Sequence, residues 1–329
     1  MGAREWDQIV AGYPSATVFH TSGWHESLNA SLPGRVVRLE IRCRGSACGH
    51  WCGFLVSRFG LRLFGAPLPG TGTDYMYPLS IEPLETGQFL DALRAWAAQT
   101  RLSMVDIGGE YLDDDVLRSH GFRLRPTRTY RVDLAGGEAG VWARLKPAMR
   151  NKVRKAEKQG VVVDVDASSA FSPLFFEMLE AVFRRQNKVP TYSLRRIEAV
   201  VRGLQAAGAV VPLVAKLNGE ALASVILLLD AKVGYYWGGA SYESAYPVGA
   251  NDLIQWRALQ LCLGKGHSVY DTCGGGEYKE KFGGTLVSLP AGHMVLHPIA
   301  GVMRASVERG VRARQAVLGT LRRMTGSRA

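Results

Sequence analysis

The chain has 329 residues, 47% of them hydrophobic, and 40 Lys and Arg against 29 Asp and Glu give a formal net charge of +11. At roughly 100–200 residues per domain, this length predicts two domains, each able to bury its own core. No apolar run approaches the roughly 20 residues that span a bilayer, which argues for a soluble chain whose positive charge suits nucleic acid, an anionic membrane surface or phosphorylated substrates.

The opening Met1-Gly2-Ala3-Arg4-Glu5-Trp6 carries a charged pair where a secretory signal needs an apolar stretch. Five cysteines, an odd number, fit a reduced compartment better than a disulfide framework, so a cytoplasmic location is expected. A short helix is predicted over 6–10 and a second behind Ser22, through Trp24 and Leu28. Strands follow over 36–42, 51–57 and 61–64. Residues 65–74, Gly-Ala-Pro-Leu-Pro-Gly-Thr-Gly-Thr-Asp, are too rich in Gly and Pro for a regular element. They read as a long loop, and such loops in compact domains are often functional. Helical spacing returns over 89–98, a buried strand over 104–107, and an extended crossing segment over 122–134.

Residues 135–140, Ala-Gly-Gly-Glu-Ala-Gly, are the candidate linker. Pro147 then suits a first helical turn and Gly160 a helix end, which predicts a helix over 148–159. Leu145, Met149, Val153 and Ala156 form its apolar stripe, and Arg144, Lys146, Arg150, Lys152, Arg154, Lys155 and Lys158 occupy much of the rest. A strand over 161–165, helices over 171–185 and 194–207, and strands over 210–216, 221–229 and 233–237 come next. Asn218-Gly219 is a strong hairpin signal, so this sheet is antiparallel rather than doubly wound. A helix over 251–263 and a strand over 268–271 close the unit. Beyond them, 303–323 combines Arg304, Arg309, Arg312, Arg314, Arg322 and Arg323 with spaced valines and reads as a basic amphipathic helix.

Cys43, Cys48, His50 and Cys52 cluster, but alternation puts Cys48, His50 and Cys52 on one strand face, whereas structural zinc sites favour a CxxC knuckle. Packed thiols and no metal site are expected. Rossmann GxGxxG and Walker A patterns are absent, and no histidine pairs with Cys or Ser at a spacing that suggests covalent catalysis.

Four segments together resemble the FemAB-like acyltransferases, relatives of the GNAT N-acyltransferases. They are the basic stretch Met149–Val161, the hairpin Lys216–Ala223, the run Tyr235-Tyr-Trp-Gly-Gly-Ala-Ser241, and Tyr270-Asp271 followed by Tyr278-Lys-Glu-Lys-Phe-Gly-Gly284. The resemblance spans about 128–290; the first half matches loosely, through Phe19–Trp24 and Tyr75–Leu79, and shows no motif for a cell-wall precursor. It implies an α/β fold of two GNAT-like domains, 1–134 and 141–298, with mixed, largely antiparallel sheets flanked by helices; the basic C-terminal helix, read from its own charge and spacing, would occupy 299–329. It also implies an enzyme that forms an amide between an activated acyl donor and an amine acceptor, a peptide or a small molecule.

Such chemistry needs an oriented amine, a proton acceptor and stabilisation of developing negative charge. The resemblance points to Lys279 for the charge. Asp271, at the end of an apolar strand beside the Gly274-Gly275-Gly276 turn, is read either as orienting the amine or accepting its proton, or as bonding a backbone amide. Arg150, Lys152, Arg154, Tyr236, Trp237, Asn251 and Lys281 are the candidate donor-binding residues. No tightly bound cofactor is expected. The donor is expected to be aminoacyl-tRNA, because basic faces suit phosphates and the usual GNAT pyrophosphate loop is not evident; acyl-CoA is the alternative. A non-enzymatic RNA- or membrane-binding protein on a degenerate fold of this kind is a third reading, and it conflicts with the intact Tyr278–Gly284 segment.

Overall fold

In the structure, a computed structural model, residues 2–306 are described. The first unit opens with helices α1 (Ala3–Ala11) and α2 (Ser22–Ser31), the second capped by the Thr21 hydroxyl on the Trp24 amide. Strands β1 (Arg35–Cys43), β2 (Ser46–Arg58) and β3 (Leu61–Ala66) form a meander, with β4 (Leu79–Ser80) on the flank of β2. Helix α3 (Thr86–Gln99), strand β5 (Met104–Gly108), helix α4 (Asp114–Ser119), β6 (Arg123–Leu124) and β7 (Thr127–Asp133) follow.

The second unit begins with α5 (Gly137–Arg144) and α6 (Pro147–Lys158), whose first-turn proline and buried Met149, Val153 and Ala156 match the expected stripe. Then come β8 (Val162–Val165), α7 (Phe171–Arg185), α8 (Leu194–Gln205), β9 (Val210–Leu217), β10 (Glu220–Leu229) and β11 (Val233–Ser241). Helices α9 (Ala245–Val248) and α10 (Ala250–Gly264), strands β12 (Val269–Asp271), β13 (Thr285–Leu289) and β14 (Ala291–Val295) complete the order, with helical residues 298–306 last.

Two sheets result. The first has the order β1-β2-β3-β5-β14-β6, and the second β13-β7-β12-β11-β10-β9-β8; among the described residues only β3–β5 and β11–β12 pair in parallel. The sheets do not divide where the sequence suggested. Strand β7 lies before the expected boundary yet pairs with β12 and β13 in the second sheet, and β14 returns to pair with β5 in the first. Each unit therefore holds a strand of the other's stretch of chain. The expected linker is also shorter than 135–140: Gly136 adopts φ 84°, and α5 starts at Gly137 because Val141 buries fully. The basic C-terminal helix expected over 299–329 lies mostly outside the described residues.

One apolar core runs between the sheets, where Phe19, Trp24 and Tyr75 of the first unit pack with Phe175, Tyr235 and Trp237 of the second. A second core lies under α6 and α10. The cysteine expectation needs correction. Cys43 and Cys48 are disulfide-bonded across the β1–β2 hairpin, with Cα atoms 5.7 Å apart. Ile41 pairs with Gly49 and Arg42 with Ala47, so Cys48 is the extra residue of a bulge and leaves the alternation that a regular strand would impose. Cys52 is packed in the core, and His50 Nδ1 hydrogen-bonds the Tyr13 hydroxyl at 2.8 Å.

Candidate active site

The site begins where the two parallel strands part. β11 and β12 run together as far as Tyr235 opposite Asp271; β12 then ends while β11 continues to Ser241. In β11, Gly238 pairs with Ile226 and Tyr236 with Leu227, which leaves Trp237 as a bulge residue at the split. After Asp271 the chain turns through Cys273, at φ 50°, and Gly274, at φ 145°, into a 3-10 helix Glu277–Phe282. Glycine at 275 lets this turn lie on the β7 strand, since a Cβ there would sit 2.7 Å from that of Arg128.

The 3-10 helix carries Lys279 into the split, where it is 9% exposed. Its Nζ donates to the Thr272 carbonyl at 2.6 Å and lies 5.1 Å from the centre of the Tyr236 ring. It also lies against Gly274, where an added Cβ would be 3.3 Å away. Burial lowers the Lys279 pKa, and the nearby Cys273, Asp74 and Asp271 oppose that shift.

Asp271 is held differently from a free base. Its Oδ1 accepts from the Thr129 hydroxyl at 2.6 Å and the Cys273 amide at 2.8 Å; its Oδ2 accepts from the Tyr75 hydroxyl at 2.6 Å and Arg131 Nε at 3.1 Å. Four donors fill the carboxylate's acceptor positions. One of the four is a backbone amide at the strand end, and the other three are side chains, of which Tyr75 comes from the first unit.

A carboxylate that sequence reasoning missed lies close by. Asp74 ends the long loop and lines a cavity of about 460 Å³ together with Tyr75, Arg128, Tyr192, Cys273 and Gly274. Burial, followed by the charge of Asp271, raises its pKa to about 6, against a hydrogen bond from the Cys273 thiol and the charge of Lys279. The sequence signal for Asp74 is the Gly- and Pro-rich loop that it ends.

The loop is clamped residue by residue. Arg196 Nη2 donates to the Thr71 carbonyl at 3.0 Å, Trp237 Nε1 to the Gly72 carbonyl at 2.7 Å, and Trp24 Nε1 to the Thr73 hydroxyl at 3.2 Å. Arg196 is 1% exposed, with its guanidinium 4.7 Å from the Trp24 ring and 5.9 Å from that of Trp237. Tyr192 stacks on Trp237 at 4.5 Å.

The other candidates disperse. Arg150 caps the end of α5, donating to the carbonyls of Ala143 at 2.8 Å and Leu145 at 2.7 Å. Lys281 pairs with the buried Asp252 at 2.7 Å, and Lys152 reaches the same carboxylate at 4.0 Å. Arg154 is exposed beside Trp142, 5.5 Å from the ring. Asn251, in the first turn of α10, buries Nδ2 without a partner. Only Tyr236, Trp237 and Lys279 converge on the split with Asp271.

Residues 143–281 match the Acetyltransf_6 family, described as an acetyltransferase (GNAT) domain. No curated protein sequence matches the chain. Among solved structures, FemX superposes with a TM-score of 0.69 at 13% identity, over 92% of this chain and 98% of that one. L-PGS from Bacillus licheniformis gives 0.57 at 12% identity, over 92% and 95%. The C-terminal domain of a putative lysylphosphatidylglycerol synthetase from Agrobacterium fabrum gives 0.53 at 12%, over 81% and 86%. These identities speak for the fold, and the domain match speaks for the second unit. Residues 143–281 thus match a GNAT acetyltransferase domain, within which the parallel strands β11 and β12 part, and the two-sheet fold of the chain is similar to that of FemX.

Proposed function

We propose that the protein transfers an aminoacyl group from charged tRNA to an amine held in the cavity beside Asp74. The observation that carries this reading is the meeting of a carboxyl poised at about 6 with a buried ammonium, at the point where β11 and β12 part. The amine nitrogen attacks the ester carbonyl carbon, and Asp74 takes the proton that the nitrogen sheds. Lys279 opposes the charge that gathers on the carbonyl oxygen and then on the leaving ribose oxygen. The C–O bond breaks, the amide forms, and the Asp74 proton returns to the departing hydroxyl. The donor is already activated, so no covalent intermediate is needed.

Two features favour tRNA over CoA. The first turn of α10 holds the Asp252 carboxylate, and Gly249 before it packs so tightly on Lys152 that a Cβ would be 2.6 Å from the Lys152 carbonyl. The close packing of Gly249 on the Lys152 carbonyl leaves little room for a pyrophosphate at this helix end, where anion sites need open amides. Meanwhile Arg154, Lys155 and Lys158 stand exposed on α6. Binding of charged tRNA should therefore weaken steeply across a salt series, because each neutralised phosphate releases counterions. Tight CoA-ester binding with a flat salt response would replace this donor with acyl-CoA. Location in the cytoplasm follows from the tRNA donor and stands or falls with it.

A further inference from the structure

The charge balance of the cavity has a feature that amine binding alone leaves unused. Of its two carboxylates, Asp106 is paired with Arg304, whose Nη1 lies 2.8 and 2.9 Å from its two oxygens. That leaves Asp74 as the charge available to an amine. The same cavity is lined by Arg125, in the turn that joins β6 to β7, and Arg128, near the start of β7. Among the described residues, neither guanidinium forms a hydrogen bond or ion pair. Both are anchored through their backbones: the Arg125 amide donates to the Ala291 carbonyl at 2.6 Å, and Arg128 pairs with Ser288 and carries Gly275 against its Cβ. Two exposed arginines with anchored backbones beside one carboxylate make a site of mixed sign, and arginine forks match carboxylate and phosphate oxygens in pairs.

We propose that the acceptor is an amine that carries its own anionic group, a carboxylate or a phosphate, with the amine directed to Asp74 and the anion held by Arg125 and Arg128. The inference rests on the reading of Asp74 as the amine's proton acceptor. A cavity of about 460 Å³ admits a dipeptide or an amino-sugar phosphate and falls within the range of about 300–1,000 Å³ usual for small-molecule sites. The arginines act on binding more than on the chemical step, since the anion they hold does not change charge in the reaction.

The test compares matched acceptors without and with donor. Binding of alanyl-alanine against its C-terminal amide, and of glucosamine 6-phosphate against glucosamine, is measured by calorimetry on the full chain, and the same four serve as acceptors with charged tRNA. One anionic member should bind roughly tenfold tighter than its neutral partner, and which pair responds identifies the anion. R125Q and R128Q should each raise Kd and KM for that anionic acceptor about tenfold, leave the neutral one alone and spare kcat. Equal binding of acid and amide and of phosphate and sugar overturns the proposal, as does an R125Q/R128Q double variant that binds all four as the parent does. If instead D74N retains full turnover, or no acceptor is acylated while the binding preference holds, the transfer reading fails and the anion site stands.

Discussion

At the scale of single residues, Asp74 and Lys279 make opposite demands on the fold. A carboxyl whose folded pKa is about 6 binds protons that the unfolded chain, near the ordinary carboxylate value, has already released. Stability contributed by this group is therefore lost as pH rises from about 4 to 6. D74N should remove that loss and raise the melting temperature at pH 7, with a ceiling of about 3 kcal/mol, while cutting turnover by about 10²–10⁴. In the parent, kcat/KM should fall as pH drops through about 6, because only the carboxylate accepts the proton. A profile flat from pH 8 to 5 would remove Asp74 from the chemistry. K279M should cost on the order of 10²–10³ in turnover. K281A should act the other way round: it leaves Asp252 with only Lys152 at 4.0 Å, so it lowers the melting temperature more than the rate.

At the scale of elements, the Gly70–Asp74 stretch works because three neighbours fix three successive residues. W237F keeps a ring to stack on Tyr192 but loses the bond to the Gly72 carbonyl, and should lower kcat about tenfold with a small change in melting temperature. G72A meets a φ of 71° and Tyr192 and Trp237 atoms 2.9 to 3.1 Å away, and should cost both rate and stability. If W237F leaves kcat unchanged, the loop does not depend on that bond for its aim. This loop also marks the limit of what the sequence made legible. Periodicity located the helices and strands of 147–271 to within a residue or two at most boundaries, since an apolar stripe such as Met149, Val153 and Ala156 is a local property. The partners of Thr71, Gly72 and Thr73 stand more than 45 residues away in sequence, so no local pattern could reveal that Asp74 would face Lys279. Asp271 was found from its strand end, but its four donors were not, because three of them come from Tyr75, Thr129 and Arg131. The bulge at Cys48 hid the disulfide in the same way, by breaking the alternation on which the reading relied.

At the scale of the whole molecule, the exchange of β7 and β14 ties the two sheets into one cooperative body. Asp271, at the end of β12, holds Tyr75 of the first unit beside Thr129 and Arg131 of β7, and the apolar core continues between the sheets through Phe19, Tyr75 and Tyr235. Calorimetry of the full chain should therefore give a single transition whose calorimetric and van't Hoff enthalpies agree. A fragment of residues 141–298, cut at the boundary that composition suggests, would lack β7, the strand that bridges β12 and β13, and would carry β14 without β5. It should fail to fold, and its β12 edge would be open to pairing with other chains. Restoring the strand with a fragment of 127–290 completes the second sheet and keeps the core under α6 and α10, but still exposes the face that meets Phe19 and Trp24. That fragment should show near-native helix content and poor solubility, and no acyl transfer, since Asp74 is absent from it. Two separated transitions in the full chain, or an active 127–290 fragment, would show that the units work apart and that Asp74 is not the base.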